Sequence, residues 1–374
     1  MSVAGWDPDA ARVARLAREL DELELDALLV DSLVSVRYLT GFTGSNGLVL
    51  AVADASRAKL GSHRFLSDFR YATQSAAQVP DAFAREIVAE DLLAALAGSL
   101  EDASGRLGFD DANVTVKRHV QLAELLGSGW ELVPCAGAVE RLRAVKDEGE
   151  IARIRAASEL ADEALRGVLE DGLVGRPERD VALELELRMR RLGAQAPSFP
   201  SIVAAGAHGA LPHGQPRAEP IPLDVLVTID WGAYHEGYCS DCTRTFATGE
   251  GISAQAREIY ELVLRAQEQG LGAVRPGSSG REVDAVARAV IEAAGEGESF
   301  GHGLGHGVGM EIHEGPRLSR TASEEPLRAG NVVTVEPGVY LPDVLGVRIE
   351  DLVVVREGAQ EILTSLPKEL TVVS

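Results

Sequence analysis

The sequence predicts two domains, a small α/β domain followed by a larger α+β domain. Three observations carry that expectation. The chain has 374 residues, which at roughly 150 residues per domain makes two, or at most three. Up to residue 134, short apolar strand-like runs and helical patterns are mixed, as in a small α/β layer. Beyond it, long helical patterns combine with strands at hairpin spacing rather than with strict βα alternation, so α+β describes the second half.

The elements follow in order. Residues 8–25 place Val13, Leu16, Leu20 and Leu23 on one helical face, with Asp7 as N-cap and Pro8 at the first helical position. Ala27-Leu28-Leu29-Val30 reads as a buried strand, and Leu48–Val52 as another after the glycine-punctuated turn of Gly41, Gly44 and Gly47. Helical patterns return near 68–78 and 90–99, and strands near 107–109 and 131–133. The stretch 140–158 is highly charged and leads into a helix with Ile151, Ile154, Ala161, Leu165 and Val168 on one face. The boundary falls here, giving domains 1–140 and 141–374. Helices are expected at 178–192, 253–270 and 280–294, the last opened by a Ser279/Glu282 capping box and stopped by Gly295. Strands are expected near 201–205, 225–231, 238–247, 331–340 and 346–355.

Composition removes several classes of function. Lys plus Arg is 36 against 58 Asp plus Glu, a formal charge of −22 spread along the chain. Such a chain repels phosphate backbones and anionic lipid, so no nucleic-acid or membrane partner is expected. No apolar run reaches the ~18 residues that span a bilayer. The acidic start, Met1 to Asp9, lacks the basic-then-apolar pattern of a signal peptide. Three cysteines, Cys135, Cys239 and Cys242, make no disulfide framework and fit a reducing compartment. A cytoplasmic protein is the expectation.

An internal echo points to chemistry. Residues 227–234 read Val-Thr-Ile-Asp-Trp-Gly-Ala-Tyr and residues 333–340 read Val-Thr-Val-Glu-Pro-Gly-Val-Tyr, four of eight positions being identical and Asp230 falling opposite Glu336. Each copy precedes a further strand with another carboxylate, Asp241 or Glu350. A carboxylate within such apolar strands is costly to bury unless it is paired, protonated or metal-bound. Arg244 and Arg348 lie close by, so a salt bridge competes for any one of them. Four acids in a duplicated arrangement are better explained by multivalent cation, and their charge of −4 would be neutralised by two divalent ions.

A second cluster runs Gly301-His302-Gly303-Leu304-Gly305-His306-Gly307-Val308-Gly309-Met310-Glu311-Ile312-His313-Glu314. It has no lysine and no phosphate-loop pattern. One imidazole with four carboxylates makes a mostly oxygen shell, which favours Mn²⁺ over a thiolate-type zinc site. Cys239 and Cys242 flank Asp241, but three residues apart on a strand they point to opposite faces and share no ion. Arg348, on the face of Glu350, either holds a substrate carboxylate, orients a ligand, or pairs with a neighbouring acid.

With these residues in view, the chain resembles the proline-specific branch of the pita-bread metallopeptidases, which holds aminopeptidase P and prolidase. The resemblance rests on Asp230, Asp241, the Gly-His-Gly-Val-Gly-Met-Glu-Ile-His-Glu segment, Val-Glu-Pro-Gly-Val-Tyr and Val-Arg-Ile-Glu-Asp, and on the N-terminal Tyr38-Leu39-Thr40-Gly41-Phe42-Thr43-Gly44-Ser45. It covers nearly the whole chain. It implies a pita-bread catalytic domain behind a smaller creatinase-type α/β domain. It implies two divalent metal ions per chain, Mn²⁺ first with Co²⁺ or Zn²⁺ possible, held by Asp230, Asp241, His306, Glu336 and Glu350, with Asp241 and Glu350 bridging. It makes His313 the group that hydrogen-bonds the scissile amide and Glu336 the proton shuttle to the leaving proline nitrogen. His213 and His302 become substrate-binding residues, a role that Arg348 could share. His63, His119, His208 and His235 match no motif position and read as structural.

The implied activity is metal-dependent hydrolysis of the Xaa-Pro bond at the N-terminus of short proline-containing peptides, an Xaa-Pro aminopeptidase, with Xaa-Pro dipeptidase as the alternative and a non-catalytic binding protein as a remoter one. The family also suggests a homodimer. Sequence spacing does not separate aminopeptidase from dipeptidase, because the difference lies in the room beyond the proline.

Overall fold

A computed structural model describes residues 10–89, 91–135 and 137–374. Contacts divide the chain into two units, Met1–Arg143 and Ala144–Ser374. The first helix runs over Ala10–Glu22 and buries Val13, Leu16 and Leu20; the expected Asp7 cap and Pro8 lie outside the described residues.

The first unit is built on a six-stranded mixed sheet in the spatial order Phe83–Val88, His63–Asp68, Leu48–Val52, Ala27–Val30, Gly105–Phe109, Trp130–Pro134. The central pair, Ala27–Val30 and Leu48–Val52, is antiparallel and buried at every residue, which is why both read as unbroken apolar runs. The two strands at one edge escape the sequence pattern. His63–Asp68 and Phe83–Val88 mix polar with apolar residues, and the outer one is largely solvent-facing.

The second unit repeats one arrangement twice. The helices Glu148–Glu170 and Glu178–Arg191 pack on a three-stranded antiparallel sheet of Ile202–Ala205, Leu226–Trp231 and Cys242–Ala247. The helices Ala254–Ala273 and Gly280–Ala293 pack in the same way on strands that include Val332–Val335 and Asp351–Val354. Each half has its own apolar core. The two echo sequences are therefore the equivalent strands of two similar halves. The Ser279/Glu282 capping box forms as expected. A second one, Asp147 with Glu150, opens the helix Glu148–Glu170 from within the charged stretch; its acids cap a helix and face its N-terminal dipole.

The halves meet where the second strand of each begins. Glu350 N–H donates to the carbonyl of Thr243 at 3.1 Å. Thr245 Oγ1 donates to the Arg348 carbonyl at 2.9 Å. There the structure departs from the expected continuous strands. The strand expected over 238–247 is broken into Tyr238–Cys239 and Cys242–Ala247, leaving Asp241 in the gap. The strand expected over 331–340 stops at Val335 and resumes at Gly338, with Glu336 in the gap. The one expected over 346–355 becomes Leu345–Arg348 and Asp351–Val354, with Glu350 between. Asp230 lies one residue before the end of its own strand. An interruption of the ladder turns a side chain away from the regular alternation of faces. Here it turns the carboxylates toward a common centre.

His306 reaches that centre from the short strand Gly305–Gly307, which pairs with both Glu314–Leu318 and Val332–Val335. The approach is close enough that a Cβ on Gly305 would stand 2.0 Å from the Thr334 carbonyl oxygen. Neither backbone can yield without opening the pairing. Gly305→Ala should lower stability by about 1–3 kcal/mol, the usual cost of overpacking, read as a fall in thermal midpoint. A midpoint equal to that of the native chain would show that the strand is free to move.

Candidate active site

Every metal-ligating, catalytic or substrate-binding residue expected from the sequence lines one cleft of the second unit, about 900 Å³ in volume. Asp230, Asp241 and Glu350 each bring an oxygen within 4.8 Å of the others. His306 Nε2 stands 3.5 Å from Asp241 Oδ2 and 3.4 Å from Glu336 Oε1. His302, His213, His313 and Arg348 form the walls.

Threonines fix the acids. Thr243 Oγ1 donates to Glu350 Oε2 at 2.8 Å. Thr334 Oγ1 donates to Glu336 Oε1 at 3.1 Å and accepts from the backbone N–H of His306 at 3.0 Å, so one hydroxyl ties the imidazole segment to the carboxylate. Arg348 is buried and donates to Asp230 Oδ2 at 2.7 Å, Thr243 Oγ1 at 3.0 Å, Tyr340 Oη at 2.9 Å and the Pro212 carbonyl at 3.1 Å. With its guanidinium so committed, orienting Asp230 suits it better than holding a substrate carboxylate. Tyr340 in turn faces His302 Nε2 at 3.0 Å, while His302 Nδ1 donates to the Gly303 carbonyl at 2.8 Å. A hydrogen-bonded chain thus runs from Asp230 through Arg348 and Tyr340 to His302. Arg244 stands apart from the cluster. It pairs with Asp351 at 2.8 Å behind the acids and touches none of their carboxylates.

The electrostatics of the cluster are unfavourable to a bare set of carboxylates. Burial, compounded by the charges of Glu350, Asp230 and Glu336, pushes the Asp241 carboxyl well above its ordinary value. Burial and the charges of Glu336 and Asp230 do the same to Glu350, and burial raises Glu336. Burial lowers His302 and His306, and it lowers His313 with help from the His306, His213 and Arg317 charges. Burial thus favours the neutral form of His302, His306 and His313.

Two observations test whether these residues fit a cation. Asp230 Oδ1 is buried and accepts no hydrogen bond. A carbonyl can only accept, so the 3.1 Å contact of His306 Nδ1 with the Gly307 carbonyl puts the ring proton on Nδ1. The neutral ring then presents the Nε2 lone pair to two carboxylate oxygens. That is repulsive unless a proton or a metal cation lies among them, and neutral imidazole with carboxylates is a donor set for hard or borderline divalent ions. The residues fit the group. The cysteines do not join in: Cys239 and Cys242 are buried and unbridged, and burial pushes the Cys239 thiol up to about 12.

Four residues that line this cleft or hold its lining side chains escape the sequence reading. Thr334 and Tyr340 both lie inside the internal echo, at positions identical to Thr228 and Tyr234, so a signal was present. Thr243 has no comparable mark. Arg317, four residues after His313, is an exposed arginine of the cleft wall that no acid among the described residues pairs with.

Comparison with known proteins agrees with this geometry. Residues 152–357 match the model of metallopeptidase family M24, and residues 12–145 match the creatinase/prolidase N-terminal domain. An uncharacterized peptidase of Bacillus subtilis, YqhT, is 41% identical over 96% of this chain and 99% of its own. The structure of an Xaa-Pro dipeptidase from Bacillus anthracis superposes with a TM-score of 0.90 at 38% identity, covering 97% of this chain and 99% of that one. An X-Pro aminopeptidase from Thermotoga maritima superposes with a TM-score of 0.85 at 34% identity, covering 95% and 100%. The chain belongs to metallopeptidase family M24, with a creatinase-type N-terminal domain before a pita-bread catalytic domain.

If Asp241 is a cation ligand, it is a liability in the metal-free chain. Asp241→Asn keeps its shape and removes a charge from the crowd. The metal-free variant should melt at or above the metal-free native protein by calorimetry. Elemental analysis after loading with Mn²⁺ should show fewer ions bound than in the native chain. A large fall in the metal-free midpoint with unchanged metal content would make Asp241 a structural acid.

Proposed function

We propose that the chain is an Xaa-Pro dipeptidase, hydrolysing dipeptides with a C-terminal proline. The family supports a metallopeptidase, and the observation that carries the finer reading is Arg317. Of the two arginines in the cleft, Arg348 is committed to Asp230, Tyr340, Thr243 and Pro212. Arg317 stands at the wall beside His313, and no acid among the described residues pairs with it. A dipeptide ending in proline carries a carboxylate next to the scissile bond, and a free guanidinium is its natural partner. This replaces the aminopeptidase expected first from the sequence. The Bacillus anthracis dipeptidase, with the higher TM-score of the two structures, supports the same choice.

Asp230, Asp241, His306, Glu336 and Glu350 would hold two divalent cations, with Mn²⁺ suited to the oxygen-rich donor set. When bound, such ions lower the pKa of water and polarise the scissile carbonyl. The remaining work belongs to side chains. Glu336, whose proton affinity burial raises, can accept a proton and return it to the proline nitrogen, which must be protonated to leave. His313, neutral beside His306 at a ring-centroid distance of 4.4 Å, can donate a hydrogen bond to the scissile amide oxygen as charge develops there. His302, turned by Tyr340, and His213 on the facing loop form walls of the proline pocket.

A cleft of about 900 Å³ also admits a tripeptide, which makes Xaa-Pro aminopeptidase the second reading. Arg317→Met decides between them. For a dipeptidase, loss of a charge-assisted contact should raise KM for Gly-Pro by about tenfold to a hundredfold. Hydrolysis of Gly-Pro-Gly should stay slow in both proteins. Faster turnover of the tripeptide by the native enzyme, with no effect of Arg317→Met on the dipeptide, would favour the aminopeptidase.

A further inference from the structure

The mechanism uses His213, yet His213 sits on an exposed loop, and side chains on loops need something to hold them. That loop leaves the strand Ile202–Ala205, passes through the turn Gly206–Ala210 and ends at Arg217. Both of its ends return to a single carboxylate. Glu178, the first residue of the helix Glu178–Arg191, is 1% exposed. Its Oε1 accepts the backbone N–H of Ala205 at 2.9 Å and its Oε2 accepts the backbone N–H of Arg217 at 2.9 Å. The Arg217 guanidinium closes on the same carboxylate at 3.2 Å and 3.1 Å. His208, inside the loop, donates from Nδ1 to Oε2 at 2.9 Å. Gly214 packs on the other edge of that ring, where a Cβ would stand 3.0 Å from His208 Nε2. Burial opposes the charge of Glu178, but the Arg217 guanidinium and the two backbone N–H groups outweigh it and hold the carboxyl below its ordinary range.

The geometry points to Glu178 as a positioning residue for the substrate pocket: one buried carboxylate ties off both ends of the loop 205–217 and, through His208, supports the turn that carries His213. The loop also reaches the centre directly, because its Pro212 carbonyl accepts from Arg348. Glu178 touches neither substrate nor any proposed cation ligand. Its effect on catalysis therefore runs through the placement of His213 and of the pocket wall, and this role rests on the dipeptidase reading given above.

Glu178→Gln tests it. The variant keeps the size of the side chain and one acceptor oxygen, but turns the other into an NH₂ group that faces N–H donors, so one end of the loop is released. In the metal-loaded full chain, KM for Gly-Pro should rise about tenfold or more, as expected for loss of a hydrogen bond to a charged group, with kcat and metal content by elemental analysis near native. Amide hydrogen exchange across residues 205–217 should quicken by about the same factor, a readout independent of any substrate. Arg217→Met, which alters a half-exposed side chain, should give smaller changes in the same direction if Glu178→Gln does not fold. Unchanged exchange in that segment, or a lower melting temperature with native KM, would overturn the positioning role. Failure of the native enzyme to cleave any Xaa-Pro dipeptide would overturn the dipeptidase reading instead, and the exchange measurement would still decide whether the loop is clamped.

Discussion

The second unit is organised around a repulsion. Asp241 and Glu350 are 5% and 2% exposed and lie with Asp230 in a space less than 5 Å across, with Glu336 one imidazole away. Groups of like charge in a dry site cannot all ionise unless cations join them. Among the described residues little in the cleft relieves the crowding, since Arg348 neutralises one acid and burial disfavours the charged form of His302, His306 and His313. The halves around this centre are what hold it together. Each supplies a helix pair, a sheet and an apolar core, and each sheet breaks where an acid must turn inward. Stability is supplied by the cores, and the centre draws on it.

Commitment of polar groups separates structural from chemical roles. Arg244 is spent on Asp351 and on carbonyls of the C-terminal segment, which locks the strands behind the acids. Arg348 is spent on Asp230 and Tyr340. Glu178 is spent on two loop ends. Among the described residues that line the cleft, Asp230 Oδ1, His306 Nε2 and the Arg317 guanidinium keep unused capacity. Together they describe a ligand with cationic and anionic parts: metal on one side, a carboxylate on the other.

The broad outline was legible in the sequence because it rests on patterns that burial enforces. The central strands of the first unit are buried on both faces and read as apolar runs, and the helices of the second unit carry clear 3.6-residue periodicity and a capping box. The internal echo revealed the duplicated halves and two of the acids they carry inward, Asp230 and Glu336. The breaks in the strands were not legible. Apolar residues stand on both sides of Glu336 and of Glu350, so each stretch reads as one strand, and the departure is dictated by pairing between distant strands. The strands His63–Asp68 and Phe83–Val88 were hidden by their polar residues. Arg317 and Glu178 were missed for a related reason: each is an ordinary charge in sequence, and only the company it keeps, or lacks, in three dimensions gives it meaning.

The central claim is that the carboxylate cluster exists to bind divalent cations and that activity depends on them. Titration of the metal-free full chain with Mn²⁺ by isothermal calorimetry tests this most directly, with Gly-Pro hydrolysis followed on the same samples. Two ions should bind per chain, and activity should appear as they do. Absence of binding, or full hydrolysis of Gly-Pro by the metal-free chain, would contradict it.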